Sequence, residues 1–105
     1  MAEIITTEQF EEKVLQSDIP VIVDFYSQHC PPCKKYAPVF DQVAEEYAVS
    51  ARFFKMEVNE NFFLANYCGV SSFPTTIVFR DGELDFRIIG PRDHDTLVKE
   101  LELSE

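Results

Sequence analysis

Val21-Ile22-Val23-Asp24-Phe25-Tyr26-Ser27-Gln28-His29-Cys30-Pro31-Pro32-Cys33 is the stretch on which the reading of the fold turns. Its first six residues form a nearly unbroken apolar run, the pattern of a strand covered on both faces. Its last four place two cysteines three positions apart, where that strand gives way to a helix. A helix start stabilises a nearby thiolate, because its unpaired N–H groups and its macrodipole favour negative charge. A thiolate is the species that attacks disulfides or binds metal. The stretch therefore points to dithiol–disulfide chemistry, with metal binding as the alternative.

Outward from this stretch the chain alternates. Upstream, residues 3–6 read as a short first strand. Thr6 and Gln9 match a capping box that opens a helix with Phe10, Val14 and Leu15 inward, and Asp18-Ile19-Pro20 ends it. Downstream, Tyr36, Ala37, Phe40, Val43, Ala44 and Tyr47 recur at helical spacing, with Pro38 predicting a kink. Residues 52–58 return to a strand, and 59–67 read as a short helix ending near Gly69. Pro74 precedes a β-rich strand over 75–79. Asp81-Gly82 then signals a hairpin into a strand over Glu83–Ile89. Asp93 or Asp95 caps a last helix with Leu97, Val98 and Leu101 inward. The order β-α-β-α-β-α-β-β-α predicts an α/β fold: a central mixed sheet flanked by helices on both faces, closed by an antiparallel hairpin.

The bulk numbers narrow the function classes. At 105 residues the chain is expected to be one domain, spanning 1–105. With 46% hydrophobic and 13% aromatic residues, it has the composition of a packed globule. A net charge of −10 argues against nucleic acid and against an anionic membrane surface, both of which need clustered Lys and Arg. Solubility is the plain reading of that charge. The three cysteines cannot all pair within the chain, the N-terminus shows no basic-then-apolar export pattern, and no apolar run reaches a membrane span. These features predict a cytoplasmic protein, in which a Cys-x-x-Cys pair is catalytic or metal-binding. A mature domain released from an exported precursor stays open.

Taken together, Asp24-Phe25-Tyr26, Cys30-x-Pro32-Cys33-Lys34, Ala37-Pro38, Lys55, Phe73-Pro74-Thr75, Phe79-x-Asp81-Gly82 and Gly90 resemble the thioredoxin family in order and spacing, over nearly the whole chain. Two positions depart from the family pattern. His29 precedes Cys30 where a Trp is typical, and Pro31 stands where a Gly is typical; the chain has no Trp. The resemblance implies that Cys30 is the exposed nucleophile and Cys33 the buried resolving thiol, the two forming a redox disulfide. It places Asp24 beneath the dithiol, in proton transfer to Cys33, with Lys55 as a nearby partner. It makes Pro74 a cis-proline that presents the Phe73 backbone to an extended substrate segment and keeps metal from the thiols. His29, Pro31, Pro32, Val70, Phe73, Pro74, Gly90 and Pro91 are then the residues expected at the substrate, with ordinary packing the competing reading for Val70, Phe73, Gly90 and Pro91. For Asp24 the competing reading is a satisfied structural carboxylate.

Residue chemistry refines this. Neither Pro31 nor Pro32 has an N–H, so the Cys33 amide and the helix dipole are left to stabilise a Cys30 thiolate, an expectation of moderate activation. A protonated His29 would favour that thiolate and raise oxidising power; the other reading is a solvent-facing replacement with little electrostatic effect. Cys68 reads as a small buried hydrophobe. The function expected is a protein-disulfide reductase without a cofactor. It acts as a monomer on disulfide-containing proteins and is recharged by a thioredoxin reductase or similar donor. His29 and Pro31 motivate the alternative of a disulfide oxidase or isomerase, and a non-catalytic interaction module is the third reading. A metal site from Cys30, Cys33, Cys68 and a histidine lacks the second closely spaced ligand pair of structural zinc sites.

Overall fold

Strand β2 (Val21–Tyr26) owes its central position to its composition: its first five residues are all buried, which requires cover on both faces. A computed structural model describes residues 1–103, so the last two residues of the expected domain span lie outside the described residues. On one side β2 pairs in parallel with β3 (Arg52–Glu57), and on the other it pairs antiparallel with β4 (Thr75–Arg80). The short β1 (Glu3–Ile4) runs parallel to β3, and β5 (Glu83–Ile89) runs antiparallel to β4. The mixed five-stranded sheet has the order β1-β3-β2-β4-β5, in agreement with the α/β architecture expected from the sequence.

Alternation along β2 divides the core in two. Val21, Val23 and Phe25 pack with Phe10, Val14, Ala65 and Cys68 on one face of the sheet. Ile22 packs on the other face with Tyr36, Phe40 and Val43 of helix α2 (Pro31–Glu46) and with Leu97 and Leu101 of helix α4 (His94–Leu101). Asp24 follows Ile22 by two positions, so the pleat sends its carboxyl toward α2.

Local signals account for most boundaries. Gln9 accepts a hydrogen bond from the Thr6 N–H at 2.9 Å, which opens helix α1 (Thr7–Phe10). The helix then widens into a π-helical stretch, Glu11–Leu15, in which the Gln16 N–H donates to the Glu11 carbonyl at 3.0 Å. Val14 stays inward, whereas Leu15, at the end of that stretch, is 39% exposed rather than buried as expected. Helix α2 continues through Pro38, which sits on its exposed side, so the proline costs one intrahelical bond without ending the helix. Helix α3 (Phe62–Tyr67) starts later than the sequence suggests. The buried Glu57 carboxylate accepts from the backbone N–H groups of Gln28 and Glu60 and from the Asn59 side chain, which holds 59–61 as a turn. Asp81 and Gly82 both adopt positive φ, the conformation a two-residue type I′ hairpin requires. A Cβ on Gly82 would lie 2.7 Å from the Leu15 carbonyl oxygen, so the turn packs against the end of the π-helical stretch. Of the two candidate caps for α4, Asp93 takes the role, accepting from the Thr96 N–H at 2.9 Å.

Candidate functional site

Cys30 is the N-cap of α2, in extended conformation, and Cys33 lies in the first turn of the helix. Pro31 and Pro32 occupy the first two helical positions, where an N–H has no intrahelical partner to lose. The two cysteine sulfurs are joined as a disulfide, and the Cys33 N–H points at the Cys30 sulfur at 3.2 Å. Cys30 is partly exposed and Cys33 is buried. His29 is exposed, and no side-chain hydrogen bond joins it to Cys30 among the described residues.

The loop before β4 closes over this helix start. The Phe73–Pro74 peptide bond is cis, and the Phe73 carbonyl oxygen lies 3.7 Å from the Cys30 sulfur. Pro74 is buried, and its own carbonyl accepts from the Gly90 N–H at 2.9 Å, which ties the end of β5 to the same edge. Pro31 and Pro32 line a groove of about 370 Å³ together with Lys35, Tyr36, Pro91 and Arg92. Of the residues expected at the substrate, Pro31, Pro32 and Pro91 therefore share one groove, and Phe73 and Pro74 adjoin the Cys30 sulfur. Val70 is half-buried and packs against the core cluster that holds Phe25 and Cys68.

Beneath the dithiol, Asp24 is 1% exposed. Its Oδ1 has no hydrogen-bond partner among the described residues. Burial pushes its carboxyl from 3.8 up to about 7; the Lys55 ammonium opposes that rise and the Asp41 carboxylate adds to it. A cleft of about 250 Å³ reaches Asp24, lined also by Lys55, Cys33, Ala37, Tyr26 and Ser27. The carboxyl and the Cys33 side chain thus face one solvent-connected space. Asp24 and Lys55 sit opposite each other in the β2–β3 register. The Lys55 Nζ lies 3.8 Å from Asp41 Oδ2 and 5.5 Å above the Tyr26 ring, so Lys55, beside Asp24 in register, forms its ion pair with Asp41.

Residues 1–103 match the sequence profile of the Thioredoxin family. The chain belongs to the thioredoxin family. It is 39% identical over 94 residues to the thioredoxin M4 of Arabidopsis thaliana described as chloroplastic, covering 90% of this chain but 49% of that protein, about half its length. It is 35% identical over 102 residues to thioredoxin 1 of Synechococcus elongatus, covering 97% of this chain and 95% of that one. A thioredoxin of Rickettsia felis is 35% identical over 98 residues, 93% of each chain. With the Cys30–Cys33 pair at disulfide distance, this membership gives the chain a thiol–disulfide oxidoreductase activity. No helix among the described residues is long and apolar enough to cross a membrane.

Several residues of this thioredoxin site escaped the sequence reading. Asp41 continues the α2 stripe Cys33, Ala37, Asp41 at intervals of four, the one signal that places it over the sheet. Tyr36, expected only as core, places its hydroxyl 2.8 Å from the Thr76 Oγ1, and burial holds that hydroxyl well above the ordinary tyrosine range. Arg92 lines the proline groove, held by Glu100 at 2.9 Å, and nothing in its local pattern marked it. Cys68 lies in the core cluster on the other face of the sheet, where burial pushes its thiol up.

Proposed function

We propose that this chain is a single-domain, monomeric protein-disulfide reductase with a Cys-Pro-Pro-Cys variant of the thioredoxin site. In the reduced state the Cys30 thiolate attacks one sulfur of a target disulfide. A Cys30–target disulfide forms, and the other target sulfur leaves and takes up a proton. Cys33 then gives its proton to the ionised Asp24 carboxylate across the shared cleft. The new thiolate attacks the Cys30 sulfur, the second target thiol is released, and the Cys30–Cys33 disulfide forms. Two electrons pass from the dithiol to the target. A thioredoxin reductase or similar dithiol donor returns them.

The observation that carries this reading is the disulfide at the start of α2, with its Cys33 sulfur buried over a cleft that ends on a buried carboxyl whose Oδ1 has no hydrogen-bond partner among the described residues. The small number of groups that stabilise the thiolate supports this direction of catalysis. A dithiol whose reduced form is strongly stabilised is oxidising. Here Pro31 and Pro32 offer no N–H, and the Cys33 N–H is the donor aimed at the Cys30 sulfur. Among the described residues His29 adds no hydrogen bond to that set. The reduced state is therefore not specially favoured, which supports a reductase over an oxidase or isomerase. Phe73, Pro74, Gly90 and Pro91, with the groove beside Pro31 and Pro32, are the surface on which an extended target segment would lie, with exposed His29 and half-buried Val70 as its further members. An unpaired buried Cys68 suits a reducing compartment such as the cytoplasm.

Equilibration with glutathione buffers tests the direction: the reading expects a potential more negative than about −230 mV, and a value near that of strong oxidants overturns it. A Cys33→Ser variant tests the order of steps. It is expected to accumulate a Cys30-linked mixed disulfide with a target protein, and an adduct carried on Cys68 instead would count against the assignment.

A further inference from the structure

Lys55 is the cation nearest in register to Asp24, yet the structure gives it to another carboxylate. Its Nζ is 3.8 Å from Asp41 Oδ2, with both side chains mostly buried. Asp41 is itself fixed at its other oxygen, where Oδ1 accepts the Ala2 N–H at 3.0 Å. Across the pair, Asp24 Oδ1 has no hydrogen-bond partner among the described residues. The groups facing Asp24 are Lys55 from β3, Cys33, Lys34, Tyr36 and Asp41 from α2, and Tyr26 on its own strand, while β4 brings the neutral Thr76.

We propose that Asp41 is a positioning residue of the dithiol site: by engaging the Lys55 ammonium it offsets part of that countercharge at Asp24, whose Oδ1 stays without a hydrogen-bond partner beside Cys33. The proposal rests on the reading of Asp24 as proton acceptor, but it concerns a separate coupling. An opposite charge within about 4–6 Å lowers a carboxyl's proton affinity by about 1–3 pH units, and a like charge on that cation's far side cancels part of the effect. Both act here: Lys55 pulls the Asp24 carboxyl down and Asp41 pushes it up. Removing the Asp41 charge leaves a buried ammonium with one acid remaining to pair with. Asp24 then ionises more readily and becomes a weaker base toward Cys33. Helix α2 thus carries both the resolving cysteine and, two turns further on, the group that sets the strength of its base.

Two readouts on Asp41→Asn test this, with Asp41→Glu as the conservative control. Asn keeps an oxygen to accept the Ala2 N–H, so the helix end stays tied while the charge is lost. The first readout follows the Asp24 carboxyl carbon by NMR in the oxidised protein across pH. The midpoint is expected to fall by about one pH unit or more in Asp41→Asn and to stay in place in Asp41→Glu. In a Lys55→Met background, the downward shift caused by Asp41→Asn is expected to shrink to what the direct Asp41–Asp24 repulsion gives. An unchanged Asp24 midpoint in folded Asp41→Asn overturns the proposal, as does an equal shift with and without Lys55. The second readout is the pH–rate profile of mixed-disulfide resolution, whose acid limb is expected to move with the midpoint. A moved midpoint with an unmoved limb upholds the coupling and overturns Asp24 as the proton acceptor, so the two failures are distinguishable.

Discussion

Replacing Asp24 with Asn changes one atom type in the middle of the sheet, and the consequence depends on pH. The carboxyl is 1% exposed, its Oδ1 is unpaired, and burial holds it at about 7 instead of 3.8. Each tenfold change in proton affinity is worth about 1.4 kcal/mol, so ionising Asp24 inside the fold costs about 4 kcal/mol more than ionising it in the unfolded chain. For an acid whose folded value lies above its unfolded one, the native state keeps a proton that the unfolded chain has released. Stability then falls as pH rises between the two values. Well below pH 3.8 both states are protonated and the cost is absent. Above pH 7 both are ionised and the cost is complete.

Guanidinium unfolding of the oxidised wild type and of Asp24→Asn, repeated from pH 4 to pH 9, measures this directly. The disulfide remains closed in both proteins, so its effect on the unfolded chain cancels in the difference. Any cost of burying the Asn amide is the same at every pH and shifts the whole curve rather than its shape. The variant is expected to gain on the wild type through the range from pH 4 to 7 and to level off above it. Water entering the cleft reduces the limit, so the rise between the two plateaus is expected at about 2–4 kcal/mol. A difference that is flat across pH, or one that rises by less than about 1 kcal/mol, would refute the claim that Asp24 is buried without a compensating partner.

Two further outcomes follow from other contacts. Tyr36→Phe removes the buried hydroxyl that pairs with Thr76 at 2.8 Å, and the Thr76 Oγ1 left behind is expected to lower stability by about 1–2 kcal/mol, read as a shift of the guanidinium midpoint at constant slope. His94 bridges Glu46 at 2.6 Å and Asp95 at 2.8 Å, and these two hydrogen bonds raise its proton affinity. A histidine raised in the fold stabilises below its unfolded value and loses that contribution as pH climbs through the folded one. Thermal unfolding of His94→Ala is therefore expected to differ from wild type at pH 6 and to converge with it near pH 9, and a gap that stays constant across that range would contradict the bridge.

Much of this was legible in the chain because it is written in local patterns. The apolar run over Val21–Tyr26, the Thr6–Gln9 capping box and the Asp81-Gly82 turn each specify a conformation through neighbours a few residues away. The placement of the two cysteines at a helix start was legible for the same reason. What the sequence concealed depends on elements far apart in the chain. The Lys55–Asp41 pair joins β3 to α2, and nothing at either position announces the other. The later start of α3 depends on Glu57 capturing the Gln28 and Glu60 N–H groups, which a propensity reading of 59–67 cannot see.

The buried carboxyl ties stability and reactivity to one quantity. A strand covered on both faces favours an apolar residue at every position, and Asp24 breaks that rule at a cost of about 4 kcal/mol once ionised. Sequences depart from such rules chiefly at functional sites. The same burial that creates the cost holds the carboxyl at about 7, where a group exchanges protons in either direction most readily at neutral pH. Filling the position with an uncharged side chain removes the cost together with the proposed proton acceptor. Giving Asp24 a cation of its own, by freeing Lys55 from Asp41, would give up the Lys55–Asp41 pair and lower the basicity that the proposed step uses. Neither route stabilises this core without weakening the proposed step. A stabilised variant that kept full reductase activity at neutral pH would therefore have to leave Asp24, Lys55 and Asp41 as they are and improve the packing elsewhere.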